Sequence, residues 1–334
     1  MDIGPDPGER TNVLAQSKTS LPDFSDLEFW TPVKSCLLCG PGEFRLVREA
    51  GDRHYGNPGR FRIVECGNCG LNFLNPMPTL RYLSEAYPEN YYAYAAPDMQ
   101  ELPALHLRRL VKQIFLYTPG RTGDPVFTAP GTMLDIGCGS GAFLTQMKDQ
   151  GWNVKGVEPD ERAASRGRDR GIEIFGGTLD AARFPSGHFD YIRSNHSFEH
   201  IHNPREVLQE IRRIIKSTGT LFIGVPNVDG LMAHLFGPCW WYLGAPVHTF
   251  GYSPKTLGKI LSAEGFRVTA VQYNSTYSGI IGSLQIFCNR NNGKSSEDGW
   301  VIRNPALKVL SYWIARITDL LHAGDCIEII ARPV

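Results

Sequence analysis

One eight-residue segment constrains this chain most: Leu134-Asp135-Ile136-Gly137-Cys138-Gly139-Ser140-Gly141. Three glycines alternate directly after a short apolar run, and a helix-like stretch, Ala142 to Gln150, follows. Glycine lacks Cβ, so it tolerates positive φ and lets the backbone approach a ligand closely. The helix start beyond it presents N–H groups with no intrahelical acceptor. The segment therefore predicts a strand, a tight ligand-holding loop and a helix. The alternation continues around it, with strands expected over 132–136, 154–158, 172–175, 189–194 and 220–225 and helices over 141–150, 161–170 and 204–216. Such alternation argues for a parallel sheet covered by helices on both faces. Asn203-Pro204 reads as a helix start, with an N-capping side chain before a proline at the first helical position. Ser253-Pro254 repeats the device for a helix ending near Ala263, with Gly265 just past it.

Two acidic residues refine the loop's chemistry. Asp135 lies two residues before the first glycine, where it would repel a pyrophosphate and attract an ammonium group. Glu158 ends the next apolar strand, where a ribose-binding carboxylate belongs in a doubly wound sheet. A ligand with a cationic amino-acid end and a ribose fits both, and S-adenosylmethionine (SAM) has these.

The segment resembles motif I of the class I SAM-dependent methyltransferases. Gly156-Val157-Glu158-Pro159-Asp160 is similar to the acidic end of their second strand, and Phe189-Asp190-Tyr191-Ile192 to their fourth strand, ending at Ser194-Asn195. Phe198-Glu199-His200-Ile201-His202-Asn203-Pro204 is similar to the loop and helix that follow in small-molecule methyltransferases. The resemblance covers roughly residues 131 to 334. It implies a Rossmann-like α/β fold with a seven-stranded sheet, whose last pair, over 266–273 and 325–332, is antiparallel. An insertion at 274–324 separates that pair. The resemblance further implies that Asp135, Gly137, Gly139 and Gly141 hold the methionine end of SAM and that Glu158 accepts the ribose hydroxyls. Thr178 and Leu179 would flank the adenine, and Asn195 would stand beside the reactive centre.

The front of the chain carries a second signal. Of eight cysteines, Cys36, Cys39, Cys66 and Cys69 form two Cys-x-x-Cys pairs, each followed by glycine. A two-residue gap lets both thiolates of a pair reach one ion, and four thiolates suit a closed, structural Zn²⁺. Alternating Phe44-Arg45-Leu46-Val47 and Phe61-Arg62-Ile63-Val64 read as the strands of a small zinc ribbon over 35–76. Cys138, Cys239, Cys288 and Cys326 are isolated and read as small buried residues. Residues 1–34 read as a disordered or loosely attached start, and 77–130 as a helical linker or substrate lid. Zinc ribbon, Asn75-Pro76-Met77-Pro78 and Tyr91-Tyr92 together resemble a bacterial subgroup acting on sugars and on surface-glycan or natural-product precursors. Sugar C-methyltransferases share this layout and usually carry a longer C-terminal extension. The expectation is therefore methylation of a sugar hydroxyl, with C-methylation and RNA methylation as alternatives.

The chain is formally neutral, so no global field attracts nucleic acid. No apolar run is long enough to span a bilayer, and residues 1–20 lack the apolar core of a signal peptide. The expected setting is the cytoplasm. Leu307, Leu310, Ile314, Ile317 and Leu321 fall on one helical stripe, read as an amphipathic helix covering the core, with a membrane-surface helix as the rarer case.

For an acceptor hydroxyl, the enzyme must place the reacting groups and help remove a proton. Three histidines are candidates, because the imidazole pKa lies near neutrality. They are His200 beside Glu199, His248 in the aromatic segment Trp240-Trp241-Tyr242, and His196 next to Asn195. Trp240, Trp241 and Tyr242 either stack on a sugar face or pack as a lid, and Tyr91 and Tyr92 either line a substrate pocket or pack between domains.

Overall fold

A computed structural model of the chain describes residues 23–86, 129–290 and 299–334. The substrate readings for Tyr91 and Tyr92 and most of the helical linker or lid read over 77–130 lie outside those residues.

Thirteen strands are described: β1 (Trp30–Thr31), β2 (Phe44–Ala50), β3 (Phe61–Cys66), β4 (Asn72–Leu74), β5 (Met77–Pro78), β6 (Thr132–Ile136), β7 (Asn153–Glu158), β8 (Glu173–Gly176), β9 (Phe189–Asn195), β10 (Ile215–Pro226), β11 (Phe250–Gly251), β12 (Phe266–Tyr273) and β13 (Cys326–Pro333). The large sheet has the order β12-β13-β10-β9-β6-β7-β8. It is parallel except at β13, which runs antiparallel to both β10 and β12. The expected seven-stranded, doubly wound sheet is thus present. Its central strands are apolar on both faces, and Leu134, Ile192 and Ile223 have no exposed surface. Each such side chain contributes about 1.5–3 kcal/mol by leaving water.

The described α-helices are α1 (Leu80–Ala86), α2 (Ala142–Asp149), α3 (Glu161–Arg168), α4 (Pro204–Ile214), α5 (Leu231–Phe236), α6 (Pro254–Ala263), α7 (Tyr277–Asn289), α8 (Trp300–Arg303) and α9 (Pro305–Leu320). The Ser253 cap forms as expected, with its hydroxyl accepting from the Thr256 N–H. Asn203 does not cap α4, because its amide donates instead to the Glu206 carboxylate at 2.6 Å. Helix α4 stops at Ile214, two residues short of the expected end, since Ile215 already pairs with Phe189 as the first residue of β10.

The insertion differs from its sequence reading. Helix α9 buries Ser311, Tyr312, Ala315 and Thr318. Leu310, Ile317 and Leu321, expected to face inward, stay more than half exposed. Ala315 and the partly buried Ile314 pack in one cluster with Ile280 of α7, so only part of the expected stripe faces inward. No helix among the described residues is long and apolar enough to cross a membrane.

In the front unit, β2, β3, β4 and β11 form one antiparallel sheet in the order β11-β4-β3-β2. Strand β11 comes from far along the chain, and Phe250 pairs with Phe73 and Gly251 with Asn72. A single apolar core runs from Cys66, Leu71 and Phe73 through Phe250 and Tyr252 to the central strands of the large sheet. Residues 23–34 are also held in place, against the expectation of a loose start through residue 34. Trp30 is buried against Phe24, Phe61 and Tyr82, and β1 pairs with β5.

Candidate active site

The glycine loop follows β6 directly. Gly137, Gly139 and Gly141 have φ of 71°, 55° and 72°, a region that side chains rarely tolerate. A Cβ on Gly137 would also lie 2.4 Å from Ser197 Cβ. The loop is thus pressed against the turn after β9, where Ser197 Oγ donates to the Ile136 carbonyl at 2.7 Å.

Glu158 ends β7, as expected. Its Oε2 accepts the Gly139 N–H at 2.8 Å and its Oε1 accepts the Asp160 N–H at 2.9 Å. These bonds set the carboxylate across the mouth of the glycine loop, and burial raises its pKa against their pull. Asp135 is buried, and both its oxygens lie 2.9 Å from Nη1 of Arg193. Any hold on an ammonium group is therefore shared with that guanidinium. Sequence reasoning missed Arg193, although a charge inside an otherwise apolar strand is a legible sign of a buried partner. Leu179 is 3 % exposed and belongs to the core, while Thr178 is exposed. Asn195 ends β9, and its Oδ1 is buried without a hydrogen-bond partner.

The four acid–base candidates come together at the end of β9. Glu199 is 1 % exposed, and neither of its side-chain oxygens has a hydrogen-bond partner. Around it stand Nδ1 of His196 at 3.6 Å and Nε2 of His248 at 4.0 Å. Ligand atoms of Glu199, His200 and His248 all lie within 4.8 Å of one another. The rings of His200 and His248 meet edge to face at 4.7 Å. His200 Nδ1 bonds the Val247 carbonyl at 2.9 Å and His248 Nδ1 bonds the Tyr242 carbonyl at 3.0 Å, so both rings are fixed by backbone. With Nδ1 donating, each ring carries its acceptor on Nε2. His196 has a left-handed φ of 50°, a strained state for a side-chain-bearing residue.

Burial, then the neighbouring imidazole of His200, hold His248 down at about 3. Burial likewise lowers His200, against the pull of Glu199. Burial pushes the Glu199 carboxyl up, but the imidazoles of His196, His200 and His248 outweigh it and hold it at about 2. At neutral pH the Glu199 carboxylate therefore faces the unprotonated imidazoles of His200 and His248.

The three aromatics separate. Tyr242 stacks on His196 with centroids 6.0 Å apart, and its hydroxyl meets Thr276 at 2.8 Å. Trp240 is buried and donates from Nε1 to Asp325 Oδ1 at 3.1 Å. Burial pushes that carboxyl up to about 7. Trp241 packs edge-on against His54 and lies flat on Gly282, where a Cβ would lie 1.9 Å from its ring. Beside Tyr242 and His248 opens a narrow cleft, whose other wall is the front sheet: Arg48, Asn72 and Phe73. Nothing in the local sequence joins these front residues to the site. The β4–β11 pairing does so.

The paired cysteines also converge. Cys36 Sγ lies 3.5 Å from Cys69 Sγ, and Cys39 Sγ lies 3.4 Å from Cys66 Sγ. All four sulfurs fall within 4.8 Å of one another. Tetrahedral zinc with Zn–S bonds of about 2.3 Å needs sulfurs roughly 3.8 Å apart, so the four fit one ion with small adjustments. Gly40 and Gly70 take the left-handed turn after each pair, with φ of 78° and 84°.

A family model described as a methyltransferase domain matches residues 104–271, half of the chain. Among curated proteins, the C-methyltransferase NovU of Streptomyces niveus is 27 % identical over 274 residues, covering 75 % of this chain and 60 % of its own length. The ubiquinone biosynthesis O-methyltransferase of Caulobacter vibrioides is 28 % identical over 103 residues, covering 29 % of this chain and 41 % of its own length. The chain thus spans about two-fifths to three-fifths of these curated relatives. A SAM-dependent methyltransferase structure from Archaeoglobus fulgidus aligns with TM-score 0.43 and 22 % identity, covering 67 % of this chain and 99 % of that one.

Proposed function

The chain belongs to the family of methyltransferase domains whose model matches half of it, and on that premise we propose that it transfers a methyl group from SAM to a hydroxyl of a sugar-containing small molecule. The observation that carries this reading is the cluster of Glu199, His200 and His248 after the end of β9, of which His248 lines the cleft.

The residues present fit SAM. Three glycines in left-handed turns put no Cβ toward a ligand, Glu158 spans the loop's mouth, and Asn195 keeps an unpartnered buried oxygen. In this reading Gly137, Gly139 and Gly141 cradle the amino-acid end, with Asp135 and Arg193 beneath them. Glu158 accepts the ribose hydroxyls, and the Thr178–Leu179 segment flanks the adenine. When bound, the sulfonium supplies an electrophilic methyl group. Tyr242 and the cleft walls orient the acceptor and exclude water. An unprotonated imidazole, His200 or His248, accepts the hydroxyl proton, and Glu199 stabilises the resulting imidazolium. The four thiolates hold a structural Zn²⁺ that fixes the front wall of the cleft.

C-methylation is a second reading, favoured by the match to NovU, which spans three-quarters of this chain. An RNA acceptor is disfavoured, because Arg45 and Arg60 of the front sheet are tied to Glu65 and Glu49.

The test is methyl transfer from trideuteromethyl-SAM, read by mass spectrometry over nucleotide-sugars, 4-keto sugars, glycosylated metabolites and bulk RNA. Label on a sugar oxygen is expected. Label on carbon would replace the hydroxyl reading with the second one, and label on RNA alone would overturn both. Glu158→Ala is expected to weaken SAM binding at least about tenfold, since the ribose loses a charged acceptor. Unchanged affinity in calorimetry would remove Glu158 from the site.

A further inference from the structure

The Glu199 cluster is also a ligand set. Two imidazoles and one carboxylate each bring a ligand atom within 4.8 Å of the others. Glu199 is 1 % exposed, and neither of its oxygens has a hydrogen-bond partner. A carboxylate buried in this way is costly unless a counter-charge or a metal ion offsets it. Nε2 of His248 stands 4.0 Å from Glu199 Oε1. Bonds of about 2.0–2.2 Å to a tetrahedral zinc ion hold such atoms roughly 3.4 Å apart, so this pair has to close by about 0.6 Å. The Glu199 side chain, tied by no hydrogen bond, is the part able to turn.

The far side of each ring points the same way. His200 Nδ1 bonds the Val247 carbonyl at 2.9 Å, and His248 Nδ1 bonds the Tyr242 carbonyl at 3.0 Å. A histidine that ligates a metal almost always donates its other ring N–H to a carbonyl or carboxylate, which fixes the tautomer and aims the lone pair. A base acting alone needs one ring held so. Here two are, beside one carboxylate. Imidazole nitrogens suit zinc and its transition-metal neighbours, whereas magnesium and calcium prefer oxygen throughout. Three protein ligands leave a fourth position open, and His248 lines the cleft, which gives an ion a way in.

We propose that Glu199, His200 and His248 form a second metal site, separate from the four cysteines, that takes one divalent transition ion of the zinc class and switches methyl transfer off while the ion is held. The lone pairs that ligate the ion are those that take the acceptor's proton, so an occupied site leaves neither imidazole available as a base. The inhibitory part rests on the acid–base role proposed above, and the binding part does not. The four thiolates, softer and closed around their ion, fill first, so the second site answers to surplus metal.

The probe is Co²⁺, titrated into the zinc-loaded full chain and followed by its visible absorption. The soft thiolates keep their zinc against it. One cobalt ion per chain should bind, with nitrogen and oxygen ligands in X-ray absorption. His200→Ala, His248→Ala and Glu199→Gln should each weaken it at least about tenfold, since losing even an outer-shell partner of a ligand costs that much. SAM affinity and the melting curve serve as folding controls. If a variant fails them, the ligands seen in the wild type decide, and sulfur ligation alone would overturn the proposal. Absence of bound cobalt, or variants that hold it as tightly as the wild type, would overturn it too. Methyl transfer is then followed as Zn²⁺ rises. The midpoint of inhibition should match that of Zn²⁺ binding to the second site, and chelating the surplus should restore the rate. A rate indifferent to a filled second site would overturn the switch. Labelled sugar without any bound cobalt would end this proposal and leave the sugar reading intact. Cobalt held by these three side chains without any labelled sugar would support the metal site and end the sugar reading.

Discussion

Withdrawing metal from the four-cysteine site is expected to lower the melting temperature by roughly 10 °C or more and to abolish methyl transfer. The sulfurs of Cys36, Cys39, Cys66 and Cys69 lie within 4.8 Å of one another, and without an ion nothing offsets the crowding of four thiol groups. Structural zinc sites contribute folding free energy directly, on the order of 10 kcal/mol or more in isolated zinc-binding peptides. Even about 3 kcal/mol of that, felt by a domain of 150–250 residues, moves the midpoint by roughly 10 °C. The effect should not stop at the front sheet. Strand β4 lies two residues beyond Gly70 and pairs with β11, and Phe73 and Phe250 share one core with Phe198 and Tyr252. His248 lies two residues before β11, so loosening that strand frees the imidazole. Hydrogen exchange should therefore rise over both 72–74 and 250–251 after chelation, together with thiol reactivity. If the melting curve and the reactivity of the four thiols stay constant once metal is removed, the zinc assignment fails.

The parts of this molecule legible in its sequence are those whose chemistry is local. The glycine loop, Glu158 and the two cysteine pairs each declare themselves within a few residues, because tight turns and metal knuckles need particular residue types at fixed spacing. The order of strands followed from the same alternation. What stayed hidden depends on residues far apart. Arg193 meets Asp135 across 58 positions. Arg48 enters the cleft only because β11 closes the front sheet, and no periodicity signals a two-residue strand. The burial of α9 was legible only in part. The periodicity located the helix, and Ile314 packs inward beside Ala315 and Ile280 of α7. Leu310 and Ile317 of the same stripe stay more than half exposed, because which residues are covered depends on a partner helix distant in sequence.

Glu199→Gln is expected to lower kcat on the order of a hundredfold while leaving SAM affinity within a factor of two, within the range assigned to general acid–base catalysis. The substitution keeps the shape and removes the charge. Glu199 is buried with no hydrogen-bond donor on either oxygen, an arrangement that costs stability and needs a functional return. Its negative charge raises the pKa of His200 and of His248, opposing the burial that depresses both. It therefore makes whichever imidazole takes the proton a stronger base. The sign of the pH effect follows. A base works in its unprotonated form, and burial holds both imidazoles below the ordinary value of 6.5. The rate should be insensitive to these groups between pH 7 and 8 and should fall only on the acid side of 6.5. Removing the Glu199 charge drops the imidazole pKa further, so the variant's acid limb should move to lower pH while its plateau sinks. A residue that merely held the loop together would lower SAM affinity or the melting temperature and leave the limb in place. His200→Ala and His248→Ala then divide the role, since the ring that takes the proton should lose more than its neighbour when replaced. Full activity in Glu199→Gln and in both alanine variants would show that this buried carboxylate and its imidazoles take no part in the transfer.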